Sequence, residues 1–428
     1  MKRWIAAGLV LVLGATVVAA YVTWRRDEDY RRLIVEGDRA SLASDSFGAI
    51  EAFSGAIALR PASMLAWLKR GEVYLRRGDH RSALRDLRRA VSLDPTAPRS
   101  LELLGDTYSA LEHYARAAAE YERYLALDDR DPRVLYKLGL AQVYGGRPDA
   151  AVFALTRAIR LDDRSPEAHY LLGVCFGLQK RPREAIRALE RAVALAPAMV
   201  AAREVLADHY GEAGRTQDEV RQLEALTALD PTAPGRHVAV ADAWARIGRF
   251  DLAVTTLVRA MERFPDEPPL LVALGRVWLR VATAGEDSVA LSKALEALQR
   301  AASRSASGPA LAWLGRAQLL AGDDLGALRS LQVATATLPV EPRALADLSQ
   351  AAERLGRLAL ARTALVQEAA LLGDGVPARS RADRASRIAQ LSERLGDGAQ
   401  AVAWLERAHA AAPEDRTVAA RLAREKER

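Results

Sequence analysis

The stretch ALRDLRRAVSLDP, Ala83 to Pro95, returns as AIRALERAVALAP, Ala185 to Pro197, at an offset of 102 residues, or three steps of 34. A frame started at Tyr30 with that step aligns a column of small residues at Gly37, Gly71, Gly105, Gly139 and Gly173, continued by Ala207 and Ala241. A second small column holds Ala49, Ala83, Ala117, Ala151 and Ala185, is broken by Glu219 and resumes at Ala253. A third runs Ala56, Ala90, Tyr124, Ala158, Ala192, Leu226 and Ala260, and proline closes units at Pro61, Pro95, Pro197, Pro231 and Pro265. Seven units fit from residue 30 to 267 without a gap. One amphipathic phrase restated at a fixed step describes a unit that cannot hide its apolar stripe alone, so stacked neighbours must cover it.

Each unit reads as helix, turn, helix. In the second, Trp67, Tyr74 and Leu75 mark a first helix, Gly78 and Asp79 a turn, and Ala83, Leu87, Ala90 and Val91 an amphipathic second helix at i, i+4, i+7 and i+8. Small residues at the crossing let the two helices approach. Asp131-Pro132 and Ser165-Pro166 each place a capping residue before a proline at the first helical position. At 428 residues the chain is too long for one globular core. With 50% hydrophobic, 27% charged and only 6% aromatic residues, it suits packed helices rather than a β-sandwich.

The pattern resembles the tetratricopeptide repeat. WLKRGEVYLRRGDHRSALRDLRRAVSLDP (from Trp67) and LELLGDTYSALEHYARAAAEYERYLALDD (from Leu101) carry most of that family's signature, and the resemblance covers nearly everything after residue 29. It implies an all-α, right-handed superhelical solenoid of about eleven helix–turn–helix units. The eighth unit keeps Gly275 and Trp278, but its second helix arrives late, at Ala294, Leu298 and Ala301, which places an insertion within ATAGEDSVALSK. Gly315, Ala327, Leu331, Ala334 and Pro339 mark the ninth unit, Ala361 and Leu365 the tenth. A linker, GDGVPARSRADR, precedes the eleventh, with Ala401, Leu405, Ala408 and Pro413. The expected organisation is an amino-terminal anchor and flank over residues 1–29, units one to eight over 30–307, units nine to eleven over 308–415, and a polar capping helix over 416–428.

Ahead of the array, WIAAGLVLVLGATVVAAYVTW, Trp4 to Trp24, has no charge at 21 positions. As a helix it would span about 31 Å, enough for a bilayer core, with aromatic residues at both ends. It reads as a transmembrane signal anchor; the rival is a cleaved signal peptide ending at VAA, Val18 to Ala20. Counting Lys and Arg alone favours a cytosolic array, through Arg25, Arg26, Arg31 and Arg32. The acids Asp27, Glu28 and Asp29 interrupt that cluster, and the short basic tail Lys2-Arg3 favours the opposite sense. The expectation is a single-pass protein of a bacterial inner membrane with its array in the periplasm.

In the family it resembles, the first helix of each pair lines the concave face. Those positions offer Asp38, Glu72 and Asp106 early, then Tyr136, Leu140, Val143, Tyr170 and Val174 in units four and five. Acids return at Glu204, Asp208 and Asp242, before Arg276 and Arg316 in units eight and nine. The candidate partner-binding groove is therefore Asp106, Tyr136, Leu140, Val143, Tyr170, Val174, Glu204, Asp208 and Asp242. Its expected ligand is a protein or peptide segment with apolar side chains at its centre and basic ones flanking. The family's asparagine-based clamps and ladders are excluded, because the chain contains no Asn.

A net charge of +6, from 61 basic and 55 acidic residues without a long basic run, gives no footprint for nucleic acid. Cys175 is the only cysteine and falls in a small packing column. His169 and His237 lie two units apart, too far to share a metal, and the turns DDRDP and DDRSP read as helix caps rather than calcium loops. No phosphate loop, dinucleotide fingerprint, metalloprotease helix or nucleophile elbow is present, so neither cofactor nor catalytic residue is assigned. The expected function is a non-enzymatic, membrane-anchored scaffold recruiting or assembling a cell-envelope or secretion complex. The alternatives are an accessory subunit of a polysaccharide synthesis or export machine and an enzyme.

Overall fold

The computed structural model describes the backbone of residues 2–427, and the side chains of residues 13, 14 and 16–427. Among the described residues there are 23 α-helices, one short 3-10 helix and no strand. They follow one another as first and second helices of successive hairpins, in the register of the small-residue columns. The second unit is Met64–Arg76 and His80–Leu93, the third Pro98–Ala110 and Tyr114–Leu125, and the fourth Pro132–Tyr144 and Pro148–Leu161. The chain divides into two compact units, Met1–His209 and Tyr210–Arg428.

The columns explain the local packing. In the first compact unit the glycine of each first helix faces a large residue on the second, so Gly71 meets Leu87 and Gly139 meets Leu155. Between hairpins, Leu101, Leu104, Val134 and Leu135 join one buried cluster with Leu87 and Val91. Each first helix is thus covered by the hairpin before it and covers the next, which is the nearest-neighbour logic of the repeat. In the second compact unit, Ala241, Leu257, Leu270 and Val277 form one such cluster, and Leu331, Leu345, Leu348 and Leu365 another.

Capping residues stand where the sequence places them. Asp131 accepts from the backbone N–H groups of Arg133 (2.9 Å) and Val134 (3.4 Å), and Ser165 from that of Ala168 (3.2 Å). The turn inside each hairpin needs one residue at positive φ, supplied by Gly78, Gly146, Gly214 and Gly248. In the third unit the same position is Glu112, at φ 60°. A left-handed non-glycine residue costs about 1–2 kcal/mol. Glu112→Gly is therefore expected to stabilise the third hairpin by about 1 kcal/mol, read as slower hydrogen exchange in its helices.

Three departures from expectation have local causes. The eighth unit's insertion forms no loop; it lengthens both helices of the hairpin, Pro268–Gly285 and Ser288–Arg304. Glu286 at φ 50° ends the first, and the Asp287 carboxylate, accepting from the N–H of Val289 (2.8 Å) and Ala290 (3.1 Å), starts the second. The expected linker GDGVPARSRADR is mostly helical. Only the 3-10 turn Gly373–Gly375 with Val376 and Pro377 separates Leu358–Leu372 from Ala378–Arg394.

At the amino terminus, one helix runs Lys2–Leu42, because no proline or glycine interrupts residues 24–30. It carries both the first unit's opening helix and the apolar run at residues 4–24. Of that run, residues 4–12 and 15 lie outside the described side chains. Among the described residues no helix is long and apolar enough to cross a membrane.

Candidate partner-binding site

The first helices of units four and five, Pro132–Tyr144 and Pro166–Leu178, each start at a proline held by a capping residue. That fixes the register in which Tyr136, Leu140 and Val143 share one face, at i, i+4 and i+7. The structure brings Tyr136, Leu140, Val143 and Tyr170 together, half-buried, against one core of Ala151, Leu155, Ala168, Leu171 and Cys175. Val174 is half-buried on the same helix as Tyr170. The Cys175 thiol is fully buried, and burial pushes its pKa up to about 11, which leaves it a packing residue.

Burial raises the pKa of both phenols. At Tyr136 the charge of Glu167 adds to the effect, then Tyr144; at Tyr170 Tyr144 adds, then the charge of Glu204. Tyr144 thus influences both. It was not among the expected groove residues, yet it is 63% exposed and stacks on Tyr114 with centroids 5.4 Å apart. The signal was available as an aromatic at the end of a first helix, one residue past the apolar face. A cleft of about 340 Å³ opens beside Tyr136, lined also by Arg133, Lys137, Ser165 and Glu167. Asp162 joins Glu167 in its wall, and Tyr136 is the tyrosine that lines it; Tyr170 and Tyr144 stand outside that lining.

The acids expected to steer a basic ligand have partners within the fold. Asp106 accepts hydrogen bonds from the Tyr121 hydroxyl and the Lys137 ammonium, both at 2.8 Å. Asp38 pairs with Lys69 at 2.6 Å and Glu72 with Arg99 at 2.7 Å. In the second compact unit Asp242 pairs with Arg276 at 3.3 Å, and that guanidinium lies 5.4 Å from the Trp313 ring centroid. Asp106 and Asp242 therefore tie one hairpin to the next rather than standing open. Glu204 and Asp208 are exposed on the sixth unit's first helix. Asp242 belongs to the second compact unit and the other eight candidates to the first.

Arg316 and Asp347 repeat the spacing of 31 residues seen in Asp38–Lys69 and Asp106–Lys137, with the charges exchanged. Burial lowers the Arg316 pKa and raises that of Asp347. This half-buried pair is held against its desolvation cost, so Arg316→Met alone leaves the Asp347 carboxylate without that cation and is expected to destabilise its hairpins by about 2 kcal/mol. The double variant Arg316→Met, Asp347→Leu is expected to recover most of that loss in a urea titration. A double variant as unstable as the single one contradicts this reading.

His169 is buried, its Nε2 3.1 Å from the carbonyl oxygen of Asp163, and His237 packs 6.3 Å from the Phe264 ring. Among the described residues no group of three or more His, Cys, Asp or Glu side chains is placed to hold a metal ion.

Comparison with known proteins matches the tetratricopeptide repeat at residues 43–98, 68–132, 102–143 and 136–181, and again at 166–198. No curated protein matches the sequence. Among solved structures, the chain is similar to the MamA protein, with 24% identity over 40% of this chain and 92% of that one, at a TM-score of 0.39. It is similar to YrrB, described as a TPR protein with an unusual peptide-binding site, at 22% identity over 46% and 98% of the two chains and a TM-score of 0.40. The APC/C hetero-tetramer Cut9-Hcn1 aligns over 95% of this chain and 98% of its own, at 14% identity and a TM-score of 0.42. Residues 43–198 thus match the tetratricopeptide repeat, and the remainder of the described chain is all-helical.

Proposed function

We propose that the chain is a scaffold that captures a peptide segment of a protein partner in the recess of units four and five. The observation that carries this reading is the grouping of Tyr136, Leu140, Val143 and Tyr170 on one face, beside the exposed Tyr144. Large, half-buried aromatics with few rotamers are the usual anchors of a protein contact. Glu167 and Asp162 in the cleft wall favour a segment with basic side chains beside its apolar ones, since Arg133 and Lys137 of the same wall are paired with Asp131 and with Glu102 and Asp106.

The uncharged run at residues 4–24 and the exposure of Leu13, Val17, Val18, Tyr21, Val22 and Trp24 support a membrane tether. On this reading the array, units one to eight over 30–307 and nine to eleven over 308–415, faces the periplasm of a bacterial inner membrane. There it gathers components of an envelope or secretion complex. A reporter fused to the carboxyl terminus tests the orientation, and activity on the cytosolic side overturns it.

The test of the recess is recovery of partners by the full chain and by a Tyr136→Ala, Tyr170→Ala variant. Loss of two anchors is expected to cost about 2 kcal/mol or more, roughly 30-fold in capture. Equal recovery by both proteins rules the recess out. The exposed ring face of Tyr144, stacked on Tyr114, favours a second reading in which the ligand is a glycan of an export machine. Polymer binding that survives high salt selects the glycan, whereas capture that weakens with salt selects the basic peptide.

A further inference from the structure

The joint between the tenth and eleventh hairpins differs from the others. Ala382 holds the column occupied by Pro98 and Pro132, yet its helix, Ala378–Arg394, begins earlier, so residues 378–381 form an added turn. Together with the 3-10 turn Gly373–Gly375 it borders a cleft of about 500 Å³ between Leu358–Leu372, Ala378–Arg394 and Gly398–Ala411. Its apolar lining is of small side chains, Val366, Ala369, Ala370 and Ala385 among them.

Three guanidinium groups and one indole complete the lining: Arg381, Arg384, Arg407 and Trp404. Arg381 on the added turn is fixed by donating Nη1 to the carbonyl oxygens of Val376 (2.7 Å) and Asp374 (3.2 Å). Arg384 is fixed by Glu368, with Nε 3.2 Å from a carboxylate that is itself almost fully buried. Arg407 lies over Trp404, its guanidinium carbon 4.3 Å from the ring centroid, and is exposed. Among the described residues no carboxylate pairs with Arg407. A guanidinium stacked on an aromatic face keeps its in-plane N–H edge available for a bidentate oxyanion. Of the two carboxylates here, Glu368 is taken by Arg384, and Asp374, fully exposed at the rim, lies 3.8 Å from the Arg381 Nε in a loose pair that solvent screens.

We propose that this cleft binds a carboxylate carried on a small aliphatic body, the anion on Arg407 and Arg381 and the aliphatic part against the alanine-rich lining. A free acyl acid and the carboxyl terminus of a chain ending in an aliphatic residue both present this chemistry. The proposal is independent of the tyrosine recess, since no residue is shared.

The test uses the full chain and follows the Trp404 indole N–H resonance, assigned with Trp404→Phe. The probes are N-acetyl-leucine, its uncharged amide, acetate, and a pentapeptide ending in leucine with a free or amidated terminus. N-acetyl-leucine is expected to shift the resonance saturably. The amide and acetate are expected to bind at least tenfold more weakly, as is N-acetyl-leucine to Arg407→Gln. A free-terminus pentapeptide that binds as well as or better than N-acetyl-leucine assigns the site to chain ends, and a weaker one to free acids. An unmoved Trp404 resonance, or equal affinity for acid and amide, or for wild type and Arg407→Gln, overturns the proposal.

Discussion

Gly105→Ala is expected to destabilise the third hairpin by about 2–3 kcal/mol, while Gly139→Ala, the same change one repeat later, costs under about 1 kcal/mol. At residue 105 an added methyl meets the Tyr121 ring, with Cε1 at 2.5 Å and Cδ1 at 2.8 Å. That ring is fully buried, and its hydroxyl donates to Asp106 at 2.8 Å, so it cannot pivot without breaking the bond. At residue 139 the methyl comes as close, to Leu155 Cγ at 2.6 Å and Cδ2 at 2.8 Å, but that aliphatic side chain has no hydrogen bond to hold it against a small shift. The chain itself shows that an alanine can face a leucine there, because Ala241 and Leu257 hold the same two columns, fully buried in one cluster. Adding Tyr121→Leu to Gly105→Ala recreates that pair and is expected to recover most of the loss. Chemical denaturation and hydrogen exchange of residues 98–125 and 132–161 measure these costs, and equal costs at 105 and 139 would falsify the packing argument.

Lys137→Met is expected to cost about 2 kcal/mol, less than the ~3–5 kcal/mol typical of a broken buried pair. The Lys137 ammonium reaches Glu102 at 2.7 Å and Asp106 at 2.8 Å. The discount arises because Lys137 retains 28% exposure and Arg99 still holds Glu102 at 3.0 Å.

The effect has a pH signature. Burial alone would raise the Glu102 pKa, but Lys137 and then Arg99 outweigh it and hold the carboxyl below its ordinary value. A carboxyl depressed in the folded state contributes stability that is present above about pH 4.3 and is lost as pH falls through the folded pKa. Without Lys137 only Arg99 offsets the burial cost, so the variant loses less on protonation than the wild type. The gap between wild type and Lys137→Met should therefore be widest near neutral pH and shrink below pH 4. A gap that stays constant from neutral pH to pH 3 assigns no stabilising role to the ion pair.

The two variants also separate what the sequence carried from what it did not. Gly105, Gly139 and their partners in the second helices are columns of one repeat, so their packing was legible from spacing. The role of Asp106 was not, since its partner Lys137 belongs to the next hairpin, and an exposed-looking acid reads as a free one. A cation 31 residues on, at Lys69 from Asp38 and again at Lys137 from Asp106, was the signal that would have found it. The eighth unit's insertion was visible as a broken step, but whether it loops out or extends two helices depended on the capping by Glu286 and Asp287. Tyr136, Leu140, Val143 and Tyr170 were legible as a face. Tyr144, one residue past that face, was legible as an aromatic, but its stacking on Tyr114 of the preceding hairpin was not.

All of these statements rest on hairpins that shelter one another only across nearest-neighbour contacts. Hydrogen exchange of the full Gly105→Ala chain tests this most directly. The account predicts that protection falls in Pro98–Ala110, Tyr114–Leu125 and the adjoining hairpins, while helices from Gly308 onward exchange as in the wild type. An equal loss of protection along the whole chain would show one cooperative core instead, and would contradict it.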